Sequence, residues 1–179
     1  MGEECGHQPI VALRSGEIGD DGAVPDFVIP RVPASAGALI HDGEGRVLIL
    51  KPTYKSGWTI PGGQMESDGE SPWETCRREV EEETGLTVTS GRLVCVDFLR
   101  PKARRPGGLR FVFDCGSISP AERDGIVLQA DEISDHRWVE PAEAGTLLSG
   151  PVGRRVGQAL AATVPVYREE GRPVPGVPD

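Results

Sequence analysis

The stretch RREVEEET, from Arg77 to Thr84, sets four glutamates (Glu79, Glu81, Glu82 and Glu83) within five residues. Like charges this close repel one another on a helix face, so the crowding calls for a counter-charge. On a helix turning 100° per residue, with Glu79 as zero, Glu82 lies about 60° to one side and Glu83 about 40° to the other. All three then border the apolar stripe of Trp73, Cys76 and Val80, while Glu74, Arg77 and Glu81 fall on the opposite, solvated side. Arg78 stands four residues before Glu82 and can pair with it, but one guanidinium does not neutralise three convergent carboxylates. A hard divalent cation does, and carboxylate oxygens select magnesium or manganese. A solvated helix laced with Glu and Arg pairs is the competing reading, and the helix alone leaves both open.

The helix itself is well signalled. Ser71 sits at the N-cap, Pro72 at the first helical position, Glu74 completes a capping box and Gly85 stands where a C-terminal cap belongs, which predicts a helix over Pro72 to Thr84. Before it, "ASAGALIHD" and "RVLILKP" flank "DGEG" as a hairpin, and "WTIPGG" reads as a short strand ending in a turn. After it, "LTVTSGRLVCVDFLR" and "LRFVFDCGSI" read as strands joined by the basic loop "RPKARRPGGLR", followed by a short strand "DHRWVEP" and two helices in "PAEAGTLLSG" and "GPVGRRVGQALAATV". The expected class is α/β, a mixed sheet between helices. The expected organisation is an N-terminal extension over residues 1–32, one domain over 33–165, and a Pro-rich, frayed C-terminal tail over 166–179.

Composition narrows the function classes. The 179 residues carry a formal net charge of -9, which argues against broad binding to nucleic acid or an anionic membrane, although a small anionic ligand stays open. No apolar run is long enough to cross a bilayer, and the N-terminus lacks the basic and apolar regions of a secretory signal, so a cytoplasmic location is expected. Cys5, Cys76, Cys95 and Cys115 show no C-x-x-C pairing and read as reduced packing residues, with Cys5 and His7 able to take up a stray metal.

With its upstream segment the glutamate helix becomes specific. "PGGQMESDGESPWETCRREVEEETGL" resembles the Nudix box, G-x5-E-x7-R-E-U-x-E-E-x-G-U with U aliphatic, matching from Glu70 through Arg78, Glu79, Val80, Glu82, Glu83 and Gly85 to Leu86. The leading glycine departs from the pattern: Gln64 stands six positions before Glu70 and Gly63 seven before it, which reads as a one-residue insertion in the loop.

The resemblance implies a Nudix-type α/β/α sandwich and a pyrophosphohydrolase that uses Mg2+, with Mn2+ as a substitute. Its substrate would be a nucleoside diphosphate linked to another moiety, such as ADP-ribose or a nucleotide sugar. It implies metal ligation by Glu79, Glu82 and Glu83 with the Gly63 carbonyl, an orienting Arg78, and support from Glu70. Glu132, six residues before Trp138, resembles the loop glutamate that some members use as ligand or base, with Asp131 as its competitor. Pro101, fifteen residues after Leu86, resembles a marker of ADP-ribose pyrophosphatases. Arg46, Lys51 and Arg100 lead the candidates for phosphate contact, with Lys55, Lys102, Arg104 and Arg105 behind them, and Trp58 is a candidate for base stacking. Two alternatives stand beside this: a (d)NTP pyrophosphohydrolase that removes oxidised nucleotides, and a non-catalytic nucleotide-sensing module, against which the intact glutamates argue. Extensions in some relatives exchange between subunits, which makes a homodimer one expectation for residues 1–32.

Overall fold

The structure is a computed structural model that describes residues 31–66, 69–103, 105–148 and 150–178. Most of the expected N-terminal extension, with Cys5 and His7, lies outside the described residues, as does Arg104. Residues Pro33–Asp179 make up one compact unit.

The elements run β1 (Ala34–His41), β2 (Val47–Pro52), β3 (Gly62–Gln64), α1 (Pro72–Thr84), β4 (Arg92–Leu99), β5 (Gly108–Ser117), α2 (Pro120–Asp124), β6 (Ile133–Val139), α3 (Pro141–Leu147), α4 (Gly150–Ala161) and β7 (Val166–Glu169). The sheet order is β6-β2-β1-β5-β4-β7, with β3 pairing β1 off this path. β1 and β5 run parallel, as do β4 and β7, and the other pairs are antiparallel. The sheet is therefore mixed.

Both of its faces are covered, which explains why β1 and β2 read as nearly unbroken apolar runs rather than alternating ones. Ala36, Ala38, Ile40, Leu48 and Leu50 pack with Cys76 and Val80 of α1. Leu39, Val47, Ile49 and Val112 face the other way, onto Ala144 of α3 and Val156 and Ala159 of α4. The α/β/α sandwich expected from the sequence is the architecture observed.

α1 occupies the residues its caps dictate. Ser71 and Glu74 form the reciprocal capping box, and Gly85 adopts φ 71°, donating its N–H to the Glu81 carbonyl. A short helix that the sequence reading left out, α2, starts in the same way: Ser119, Pro120 and Glu122 repeat the S-P-x-E grammar of Ser71, Pro72 and Glu74.

Two expectations are corrected. The strand in "WTIPGG" begins after the turn, not before it, and Gly62 makes this geometry available: at φ 142°, a Cβ there would overlap the backbone of Ala36 and Gly37, so only glycine lets β3 lie against β1. The C-terminal tail is not frayed at its start. Val166–Glu169 adds to the sheet edge as β7, with Val166 and Arg168 buried, because an alternating V-Y-R-E run can pair with β4 before the prolines begin. Among the described residues, no helix is long and apolar enough to cross a membrane.

Candidate active site

A cleft of about 460 Å³ opens where β1 and β3 meet α1. Glu79 and Glu83 of α1 line it, as does Glu132 in the loop before β6. Arg105, Arg110 and Arg155 also line it, and so does Lys55. Acidic and basic groups thus share one cavity.

On the acidic side the box helix is turned so that Glu83 is only 4% exposed. Its Oε2 accepts the Gly62 N–H at 2.8 Å. Burial pushes its carboxyl up to about 7 against that hydrogen bond, and the neighbouring charges of Glu79 and Glu132 add to the rise. Burial raises Glu79 as well, while the Arg78 guanidinium opposes it. A Cβ at position 63 would overlap the Glu79 carboxylate, so the glycine allows the β3 backbone to sit against that side chain.

Arg78 ties the box together. Its Nε donates to Glu70 Oε1 at 2.8 Å, its Nη1 to Glu79 Oε1 and Glu82 Oε2 at 2.9 Å each, and its Nη2 to the Gln64 carbonyl at 3.1 Å. Thr75 Oγ1 and the Glu66 N–H also donate to Glu70. These bonds, the Arg78 ion pair foremost, hold the Glu70 carboxyl down to about 2. The extra residue of the box therefore leaves the Glu70 to Arg78 link in place, since it falls in the loop between β3 and α1.

The three carboxylates expected to converge do not all do so. Glu79 and Glu83 line the cleft, whereas the Glu82 side chain is 48% exposed, outside the lining, and drawn to Arg78. Among the described residues, no group of three or more His, Cys, Asp or Glu side chains is gathered closely enough to hold a metal ion as it stands. The donor set still suits a hard divalent ion. It offers carboxylate oxygens, two of them on side chains whose burial already disfavours bare negative charge, next to the β3 backbone.

Between the loop candidates, Glu132 lines the cleft and Asp131 does not. Thr53 pins this loop, its N–H donating to the Glu132 carbonyl and its Oγ1 to the Asp131 carbonyl, both at 2.8 Å.

The leading phosphate-contact candidates sit elsewhere. Arg46 is engaged by Asp42 at 2.7 Å and Glu44 at 3.1 Å in the β1–β2 turn. Lys51 lies over the Trp58 ring, which Arg137 also covers at 4.6 Å, and Arg100 pairs with Glu169 at 2.5 Å. None of the three, nor Trp58, lines the cleft. Lys55 and Arg105 do, together with Arg110 and Arg155, which the sequence reading did not single out. Arg110 was visible only as the end of the basic stretch from Arg100, and Arg155 carries no local signal at all.

Tertiary contacts explain the basic side. Arg155 Nη1 pairs with Asp97 Oδ2 at 2.6 Å, and the fully buried Asp97 also accepts the Gly171 N–H at 2.8 Å. Arg105 Nη2 pairs with Glu170 Oε1 at 2.5 Å. The residues just past β7 thus anchor this wall.

The model of the NUDIX domain matches residues 31–172. A MutT-like protein of Streptomyces ambofaciens is 29% identical over 133 residues, covering 74% of this chain and 79% of that one. The NAD-capped RNA hydrolase NudC of Pseudomonas putida (strain W619) is 30% identical over 154 residues; the match takes in 83% of this chain but spans half, 50%, of that protein. Among solved structures, the MutT protein from Methanosarcina mazei Go1 superimposes with a TM-score of 0.61 at 26% identity, covering 72% of this chain and 92% of that one. The NUDIX domain of Shewanella oneidensis NrtR, solved with ADP ribose, shares the fold with a TM-score of 0.59 at 19% identity, over 73% of this chain and 88% of that one.

Proposed function

The chain belongs to the Nudix family and is a hydrolase of pyrophosphate bonds, and we propose that it is Mg2+-dependent and cleaves a nucleoside diphosphate linked to a further moiety, of the class of ADP-ribose or a nucleotide sugar. The observation that carries this reading is the Arg78 hub, which binds Glu70, Glu79 and Glu82 at the edge of a cleft that Glu79 and Glu83 line. Glu79 and Glu83 would hold the ion with the Gly63 carbonyl, and Glu82 would join them on leaving Arg78. A divalent ion there supplies neutralisation of phosphate charge and makes water a better acid.

The chain's own residues do the rest. Arg78 orients the ligating carboxylates, and Glu70 fixes Arg78. Glu132, exposed in the cleft, is the carboxylate we assign to take the proton of the attacking water. Lys55 contacts the diphosphate oxygens, and the cleft basic groups take the place of Arg46, Lys51 and Arg100 in meeting the substrate's negative charge. Displacement at phosphorus needs charge neutralisation and placement more than covalent chemistry, and this residue set offers both.

The test is a hydrolysis screen of ADP-ribose, nucleotide sugars, dinucleoside polyphosphates and nucleoside triphosphates, with Mg2+ and with chelator. Cleavage of a diphosphate-linked substrate that chelator abolishes is the expected result. The second reading is a (d)NTP pyrophosphohydrolase, and cleavage confined to triphosphates would select it.

A further inference from the structure

Three guanidiniums line the cleft on the β5 and β4 side of β1, whereas Glu132 precedes β6 at the other side. Arg155 is matched by Asp97, and Arg105 by Glu170, which Lys102 also approaches at 3.5 Å. Arg110 is different. Its Nη1 donates to the Leu109 carbonyl at 2.8 Å and its Nη2 to the Gly107 carbonyl at 2.9 Å, and among the described residues it forms no ion pair. Asp97 is its cross-strand partner, yet that carboxylate is spent on Arg155 and Gly171.

The result is a half-buried guanidinium with carbonyl acceptors but, among the described residues, no ion pair of its own, beside two others. Burial lowers its pKa, and the charges of Arg155 and Arg105 lower it further, opposed by the Asp97 carboxylate that Arg155 already holds. Arg105 contributes a second unmet need: its Nε is buried with no acceptor among the described residues. A buried donor without an acceptor and a half-buried charge without an ion pair both cost stability, and an anion in the cleft beside Arg110 would relieve the latter.

We propose that Arg110, flanked by Arg105 and Arg155, is a binding site for a second anionic group of the substrate, a phosphate monoester or a carboxylate carried on the moiety beyond the scissile diphosphate. This rests on the cleft being the substrate site. It deepens that reading by restricting the substrate class to molecules with an anion at both ends of the cleft. A guanidinium fork suits either anion, because it donates two parallel N–H groups to paired oxygens.

The experiment has two arms. In the first, metal-free protein in chelator at constant ionic strength is titrated by calorimetry with inorganic phosphate and with glucuronate. Phosphate is expected to bind wild type and Arg46→Gln equally, at least about tenfold weaker in Arg110→Gln, and at an intermediate strength in Arg110→Lys, which keeps the charge without the fork. Binding of phosphate alone assigns a phosphate, and binding of both assigns an anion of either kind. No binding to wild type, or equal binding to Arg110→Gln with its thermal melt intact, overturns the proposal. In the second arm, kcat/KM is compared for UDP-glucuronate and UDP-glucose, and for ADP-ribose 1″-phosphate and ADP-ribose. The charged member of a pair is expected to be preferred by about tenfold in wild type and not in Arg110→Gln. Turnover of both members without discrimination refutes the anion site and leaves the hydrolase reading standing. Absence of all turnover refutes the reading of a diphosphate-linked substrate, while the first arm still decides on the anion site.

Discussion

The acidic and basic walls of the cleft were built in different ways. Glu70, Arg78, Glu79, Glu82 and Glu83 come from one continuous segment, and a single capped helix suffices to display most of them. Arg105, Arg110 and Arg155 come from a loop, a strand and a helix; Glu170 after β7 holds Arg105, Asp97 of β4 holds Arg155, and the Gly107 and Leu109 carbonyls hold Arg110. Local rules position the first wall; only the finished sheet positions the second. The acidic wall can therefore be damaged without unfolding the protein, whereas damage to the basic wall is also damage to the fold.

The sharpest test of that contrast is Asp97→Asn. It leaves the Arg155 charge uncompensated in the interior, and a loss of about 3–5 kcal/mol in denaturant unfolding is expected. A loss below about 1 kcal/mol would show that the basic wall is not structural.

Glu83→Gln should behave in the opposite way. Turnover should fall by roughly 10²- to 10³-fold, the scale of losing one preorganised electrostatic group, with the fold preserved in circular dichroism. The same variant has a pH signature in metal-free protein. Because burial raises the Glu83 carboxyl to about 7 from its ordinary 4.5, the folded state holds a proton that the unfolded chain has released between those values. The Glu83 contribution to stability therefore falls as pH rises from about 4.5 to 7, by roughly 3 kcal/mol in all, and Glu83→Gln should be the more stable protein at pH 8 without metal. Melting curves across that range check it, and parallel curves for the two proteins would deny the burial argument.

Arg78→Lys, which keeps the charge but not the fork to Glu70, Glu79 and Glu82, is expected to weaken activity by roughly 10- to 100-fold, the cost of losing a group that orients ligands. The smallest effect expected is that of Glu170→Gln. Its carboxylate is held low mainly by Arg105 and is partly solvated, so a loss of about 1 kcal/mol in unfolding free energy is the expectation.

The same division explains what was legible in the sequence. The bounds of α1 could be read to the residue because Ser71, Pro72, Glu74 and Gly85 act locally, and the sandwich followed from where apolar runs fell between turns. α2 carried the same S-P-x-E signal at Ser119 but is only five residues long, with no apolar stripe to draw notice. β7 was hidden because its strand character comes from β4 offering an edge, not from the Pro-rich tail around it. Charge alone did not tell which basic residues line the cleft. Arg46, Lys51 and Arg100 are spent on Asp42, Trp58 and Glu169, all partners that proximity in the fold supplies. The helical projection put Glu82 beside Glu83, but it could not foresee that Arg78 would draw Glu82 out of the cleft.

The most direct test of the central claim is a calorimetric titration of metal-free protein with Mn2+, followed by competition with Mg2+, in wild type and in the Glu79→Gln/Glu83→Gln double variant. Binding in wild type that weakens by at least about tenfold in the double variant is the predicted result. Equal binding in the two proteins would contradict the assignment of the α1 carboxylates as the seat of the ion.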